Sequence, residues 1–404
     1  MKSNLKEEID NTKRVRWSTF LKDVLICSLG AYGGPEAHYG VFTDQMVLKK
    51  KYLTEEELVE LIALTGILPG PSSTQTIISI GYKVGGPVLG FLTMLVWGLP
   101  AIALMTALSF LSQFFEKMNI SSEGLRYIGP MAVAFILVAA YRIGKKVIVN
   151  TITLALFAFG GITTYFIRTP WIYPLVLIIG GIVSILTSKE KDLWNKVKIS
   201  PPWKYLIAFG SIALISVVLT FVWDNTIIHL FESFYRYGYL VIGGGQVVVP
   251  MMYSELVEVN QYMTSQEFLT GFGFVQGLPG PMFSFSAYAA GMAARGNGAF
   301  LQILGAISGG VAIFLPGILL IYFVYPLWEN LKKIKGIKAS LKGITSVAGG
   351  LISVAALILM QKSGFTWDNI IVLVLATVLL LTKKIPAPII VGLVIAAGFL
   401  INPF

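Results

Sequence analysis

Apolar residues along this chain fall into two kinds of run. Nine are long enough to be read as membrane spans of about 20 residues, at 87–115, 130–149, 151–168, 171–187, 204–223, 298–327, 344–361, 367–382 and 385–403. Shorter apolar pieces lie between them, at 17–32, 36–48, 55–68 and 72–85 in the first half and at 227–242, 246–258, 265–278 and 282–294 in the second. Each is too short to span alone, and each pair is split by glycine and proline: Gly33-Gly34-Pro35, Pro69-Gly70-Pro71, Gly243-Gly244-Gly245 and Pro279-Gly280-Pro281. Proline removes a backbone donor and clashes with the preceding turn, so such a break ends one helix and lets another begin. The pattern predicts helix, break, helix. In lipid, that is tolerated only where the break is buried in protein or lines a cavity.

The breaks recur in register. Leu-Pro-Gly-Pro occurs at Leu68–Pro71 and at Leu278–Pro281, an offset of 278 − 68 = 210, and the same offset superposes Gly33-Gly34 on Gly243-Gly244. It also superposes the capping-box pattern Thr54-x-x-Glu57 on Thr264-x-x-Glu267, so a helix is predicted to start at the same point in each half. Beyond a six-residue insertion the offset becomes 216, which pairs Leu99-Pro100 with Leu315-Pro316 and Arg126 with Lys342.

Charge orients the halves. Lys49, Lys50 and Lys51 precede the first capping box, where the second half has Val259, Asn260 and Gln261. Further along the bias reverses: loop 116–128 holds Lys117 and Arg126, while 328–342 holds Lys332, Lys333, Lys335, Lys338 and Lys342. Opposite bias at equivalent loops predicts opposite orientation. The expected fold is an all-α polytopic membrane protein, an inverted-topology repeat with re-entrant or broken half-helices at the Gly/Pro motifs. It divides into a cytoplasmic N-terminal segment 1–16, a first repeat 17–187, a basic linker with a linking transmembrane helix 188–223, and a second repeat 224–404. Inverted repeats with paired broken helices are a transporter architecture, with the substrate site near the midplane where the breaks meet.

Composition agrees. Charged residues make up 13% of the chain against about 25% in soluble domains, and mean hydropathy is +0.75. No hydrophilic block is large enough for a catalytic or nucleotide-binding domain, so an enzyme is not expected. The formal charge of +10 sits in short loops and reports topology, not a nucleic-acid partner. A single cysteine, Cys27, excludes an internal disulfide, and His38 and His229 are too far apart for a metal signature. Neither metal nor cofactor is expected.

A helix that begins at a break presents unsatisfied N–H groups and about half a positive charge to whatever lies beyond it. Four such starts, after Pro35, Pro71, Gly245 and Pro281, would favour an anion. Ser72 and Ser73 read either as helix caps or as hydroxyl ligands, and Gln75 adds an amide. Glu36 reads as a partner of the helix dipole or as a protonation switch, and His38 as a hydrogen-bonded structural residue or a member of the site. Lys83 and Arg295, near the ends of half-helices, read as anchors.

Taken together, Tyr32-Gly-Gly-Pro-Glu-Ala-His38, Leu68-Pro-Gly-Pro-Ser-Ser-Thr-Gln75, Ile80-Gly-Tyr-Lys83 and Leu99-Pro-Ala101 resemble the first-half signature of the chromate ion transporter family. Ile242-Gly-Gly-Gly245 with Val248 and Pro250, Gln276-Gly-Leu-Pro-Gly-Pro281 and Phe314-Leu-Pro316 resemble the second-half signature, and the likeness to the long two-domain form runs from about 17 to 403. The chain departs at Gln246, where an aromatic often follows the triple glycine, and at Ser72, where asparagine is frequent. The resemblance implies chromate export across the bacterial inner membrane by a secondary transporter, with sulfate as a competing tetrahedral dianion. Its recurrent motifs are carried by Gly33, Gly34, Pro35, Pro69, Gly70, Pro71, Gly243, Gly244, Gly245, Pro279, Gly280 and Pro281, and the glycines among them are expected to let backbone N–H groups approach the anion. Carriage of another anion such as sulfate or an organic acid, and passive anion conduction, are the alternatives. Expected partners are a small inorganic anion and membrane lipid, with a homodimer suggested by analogy to carriers built from paired hairpins.

Overall fold

In the first half the chain repeatedly turns back on itself. Trp17–Gly30 is followed by Pro35–Phe42, which continues as a π-helical turn over Thr43–Lys49. The two arms are antiparallel: Gln45 Nε2 and the Tyr52 hydroxyl donate to the buried Asp23 carboxylate over 2.9 and 2.6 Å. A second hairpin pairs Glu55–Ile67 with the start of Ser72–Leu108. The Thr54 capping box opens it, Lys83 pairs with Glu57 at its outer end, and Thr65 and Thr76 hydroxyls meet at 2.8 Å near its tip. The computed structural model describes residues 15–118, 122–167, 169, 172–190, 193–194, 200–241, 248–332 and 334–401, and the described residues include no strand.

Ser72–Leu108 is not one rod. A straight helix of its 37 residues would be about 55 Å long, well beyond a bilayer core of about 30 Å. Gly85 and Gly86 leave helical geometry, with φ/ψ of −150/21° and 75/−169°. The chain reverses there, so Trp97 Nε1 donates to Thr74 Oγ1 over 3.1 Å. The apolar piece 72–85 and the span after it therefore lie side by side, and that span ends at Leu108.

The second half repeats this plan. Thr226–Leu240 is joined to Val248–Tyr253 and the π-helical turn Ser254–Val259 by Ser233 and Arg236, which bond Glu255 at 3.0 and 2.8 Å. Ser233 and Glu255 are the counterparts of Asp23 and Gln45 at offset 210. Ser265–Gly277 starts at the Thr264 capping box and folds against a 3₁₀ turn at Met282–Ser284 followed by Phe285–Ala294, and Arg295 pairs with Glu267 at the outer end.

The hairpin tips are tied across the halves. Gly70 N–H donates to the Val241 carbonyl over 2.7 Å, and Gly280 N–H donates to the Ala31 carbonyl over 2.9 Å. Since 31 + 210 = 241 and 70 + 210 = 280, these are the same bond made twice with the roles of the halves exchanged.

Around the hairpins stand the other helices. Every predicted span has a helix: five long apolar ones, and four shorter at Thr151–Phe166, Ile172–Leu186, Trp367–Thr382 and Ala387–Ile401. Besides the span that ends at Leu108, two others differ in detail from expectation. The piece at 344–361 belongs to a longer helix, Lys335–Ser363, and 298–327 divides into Ala299–Ala312 and Leu315–Val324. In lipid, helices associate through close packing of small residues; here Gly343 faces the Gly180 carbonyl and Gly350 that of Phe157, where a Cβ would collide. At one end of this assembly Lys332 pairs with Glu60 of the first half. At the other, near Ser363, Gln266 beside the second capping box donates to the Arg126 carbonyl over 3.3 Å.

A Cβ at Gly70 would lie 2.5 Å from Gln75 Nε2 and 3.2 Å from Gly317 Cα, and one at Gly280 would lie 2.8 Å from the Ala101 Cβ; both glycines have left-handed φ, 127 and 103°. Gly70→Ala and Gly280→Ala are each expected to destabilise the fold by about 1–3 kcal/mol, seen as a lowered thermal unfolding midpoint in detergent. Gly296→Ala, with no neighbour within 4 Å, is expected to leave the midpoint unchanged.

Candidate functional site

Three helix starts converge on one point. Pro35 opens the first, Ser72 the second and Met282 the 3₁₀ turn of the third, and their first-turn amides have no acceptor within their own helix. Between them lies a cavity of about 10 Å³, bounded by Pro35 and His38 from one tip, Pro71 through Thr74 from the next, and Met282 and Phe283 from the second half. That is room for about one water molecule. Its polar wall is built by a chain of side-chain contacts: Ser73 Oγ lies 3.0 Å from His38 Nδ1, the His38 and Trp97 rings pack T-shaped with centroids 5.4 Å apart, and Trp97 holds Thr74. No side chain caps the helix at Pro71, so its first-turn amides have no side-chain acceptor there.

Beside this cavity lies a larger one of about 450 Å³ that shares Pro35 and Ser72 with it and includes Gly33 and Gly34. Its far wall carries Arg142, Lys146 and Lys342. Arg142 is steadied by donating to the Leu380 carbonyl over 3.1 Å. Lys342 continues into a third cavity with Lys189, Lys335 and Lys338, so the vestibule leads out to the lysine-rich end of the molecule. Cavities at the opposite end, near Ser363 and Thr264, share no lining residue with the tip cavity.

The predicted site residues divide accordingly. Pro35, His38, Pro71, Ser72 and Ser73 come together at the tip cavity, with Gly33 and Gly34 at its vestibule. Gly70 and Gly280 do not offer their amides to an anion as expected, because both amides are taken by the bonds between tips. Gln75 likewise holds the tip, its Nε2 donating to the Pro69 and Gly317 carbonyls over 2.8 and 3.3 Å. Pro279 and Pro281 shape the third tip, Pro281 as the residue before the 3₁₀ turn. Gly243, Gly244, Gly245 and Gln246 lie outside the described residues, as does the Glu36 side chain. Lys83 and Arg295 serve as the ion pairs at the outer ends of the hairpins.

Sequence reasoning passed over the vestibule cations and the apolar wall. Arg142 and Lys146 are spaced four apart at the end of a span, which places both on one helix face; that spacing was the available signal. Nothing local marks Met282 and Phe283, which reach the cavity because of how the halves are tied.

A family model described as chromate transporter matches residues 18–185 and 228–400. The chain is 24% identical to a probable chromate transport protein of Synechococcus elongatus, over 92% of each chain. It is 25% identical to a chromate transport protein of Pseudomonas aeruginosa, over 85% of this chain and 80% of the other, and 24% identical to one of Cupriavidus metallidurans, over 92% and 90%. No solved structure matches. The two matched stretches each contain a pair of hairpins, and the gap between them takes in the linking helix Trp203–Val222. With the model matching both halves, this multi-pass membrane protein belongs to the chromate transporter family.

Proposed function

We propose that the protein is a secondary transporter that exports chromate, and that the anion is held at the tip cavity by the first-turn amides of the Pro35 and Ser72 helices and by the Ser72 hydroxyl. The observation that carries this reading is the meeting of three helix starts at a cavity that adjoins a vestibule with Arg142, Lys146 and Lys342. Each start contributes about half a positive charge, and in a low-dielectric surrounding that charge favours a dianion. The chromate assignment rests on the family and on the names of the relatives.

On this reading the halves are inverted repeats with re-entrant hairpins, and transport proceeds by alternating access driven by the membrane potential or a proton gradient. Inversion is supported by the capping boxes: Glu60, just after the first, pairs with Lys332 beside the start of the Lys335–Ser363 helix, while Gln266, just after the second, lies at the Gly129 backbone close to Ser363. Alternating access is supported by the vestibule, which leads from the tips toward the lysine-rich end, the cytoplasmic side by charge bias.

Radiolabelled chromate flux in proteoliposomes tests the function. Saturable flux with exchange by internal chromate is expected, with sulfate competing; robust flux of sulfate or an organic acid without chromate flux would replace the substrate, and unsaturable flux would indicate a channel.

Neutralising the vestibule should slow capture before it alters the site. Arg142→Gln, Lys146→Gln and Lys342→Gln are each expected to raise KM for chromate roughly tenfold at low salt, the order expected for electrostatic steering, and by less as ionic strength rises. An effect equal at all salt concentrations would place these side chains outside the entry path.

Orientation is checked by labelling. In a Cys27→Ser background, cysteines at Thr54 and Thr264 are expected to react with impermeant maleimide from opposite sides of oriented vesicles. Labelling from one side would overturn the inverted arrangement.

A further inference from the structure

His38 is almost fully buried, at 1% exposure, and lines the tip cavity one turn into the Pro35–Phe42 helix. One side of its ring is accounted for: Nδ1 lies 3.0 Å from Ser73 Oγ, and the ring rests edge-on against Trp97. The other side is not. Nε2 is buried without a hydrogen-bond partner, and leaving a buried polar atom unsatisfied is unfavourable, so a partner that arrives with the substrate is the economical account of it.

We propose that His38 is a direct ligand of the transported oxyanion, donating through Nε2–H, and that Ser73 is a positioning residue that fixes the imidazole tautomer. This rests on the reading of the tip cavity as the anion site. A neutral imidazole has one N–H and one acceptor nitrogen. If Ser73 donates its hydroxyl proton to Nδ1, the imidazole proton must sit on Nε2, beside the cavity. In the opposite tautomer Nδ1–H would donate to Ser73, leaving the serine proton without an acceptor and an Nε2 lone pair facing the place where an anion is to sit. The first arrangement uses every donor, and an oxyanion supplies the one missing acceptor. Ser73 thus acts through His38.

The site is single although the scaffold is doubled. At offset 210 the positions of His38 and Ser73 are taken by Val248 and Phe283, so the second half has no equivalent pair. One anion per transport cycle is expected from this asymmetry.

The chain contains two histidines, so nitrogen-15 labelling of histidine in the full-length protein reports four ring nitrogens. The two pairs of signals are assigned by their presence or absence in His38→Gln. Without substrate, His38 is expected as the neutral Nε2–H tautomer. Titration with sodium chromate is expected to shift the His38 Nε2 signal while Nδ1 keeps its acceptor character and His229 stays unchanged. Ser73→Ala is expected to yield a mixture of tautomers. In parallel, chromate binding followed by equilibrium dialysis is expected to weaken about tenfold or more in His38→Leu, the loss of one hydrogen bond to a charged group, and less in His38→Gln, which retains an N–H donor. Chromate binding to wild-type protein that leaves the His38 signals unmoved would overturn the assignment and leave the transport reading intact, as would a folded His38→Leu variant with undiminished binding. Wild-type protein that neither binds nor moves chromate would overturn both.

Discussion

The bonds between hairpin tips, Gly70 to Val241 and Gly280 to Ala31, carry the constraint on which everything else depends. A helix that stops inside the membrane exposes amides and carbonyls where no water can satisfy them, and each orphan costs several kcal/mol. Here each half supplies an amide to the other half's carbonyl. Neither half can meet this requirement alone, because the bonds run between a second hairpin in one half and a first hairpin in the other. The tips are therefore held by partners that the duplication itself provides. Once Gly70 and Gly280 are spent in this way, the amides left over are those of the first helical turns, beginning at Ser72 and Met282. On the proposed reading, structural satisfaction and substrate attraction fall to different residues of the same break.

The symmetry of the scaffold makes the asymmetry of the site informative. Ser72 and Ser73 in the first half correspond to Met282 and Phe283 in the second, so the cavity has a polar wall from one half and an apolar wall from the other. The buried carboxylates at the hairpin stems show the same divergence: Asp23 is held by Gln45 and Tyr52 and paired with Lys50, while at the equivalent places Ser233 is paired with the acid Glu255, which pairs with Arg236. In both stems the acid sits in the same contact but on the opposite arm. A burial site that tolerates the exchange is specified by the contact, not by the residue that makes it.

How much of this was legible from the chain follows from which features are local. The breaks, the capping boxes at Thr54 and Thr264 and the offset that relates them are set by residues a few positions apart, and proline and glycine act on the backbone wherever they stand. What happens after a break is not local. Whether Ser72 continues away from Ile67 or returns beside it depends on Thr65 meeting Thr76 and Trp97 meeting Thr74, contacts that no periodicity encodes. The site was legible to the same degree. Pro35, Pro71 and Ser72 announced a cluster of helix starts, but the amides of Gly70 and Gly280 looked equally available until their carbonyl partners in the other half were known. Arg142 and Lys146 read as end-of-span cations of the usual kind, and their place on the vestibule depends on the Lys335–Ser363 helix bringing Lys342 alongside.

On the alternating-access reading, a cavity with room for about one water must widen before a tetrahedral dianion fits, and the two walls are unequal in what resists that change. Moving the polar wall would break the Thr74 to Trp97 and His38 to Ser73 contacts and disturb Gln75, which is bonded to two carbonyls. The opposing wall presents Met282 and Phe283 on a three-residue 3₁₀ turn, whose hydrogen-bond geometry is poorer than that of the α-helix occupying the same place in the first half. Its side chains touch the cavity through dispersion alone, and methionine adapts readily to a changed outline. The mechanically weaker wall is therefore the one without ligands. A transporter arranged in this way can hold its donors fixed on the substrate while the apolar side yields, so the geometry that selects the anion need not be rebuilt at each turn of the cycle.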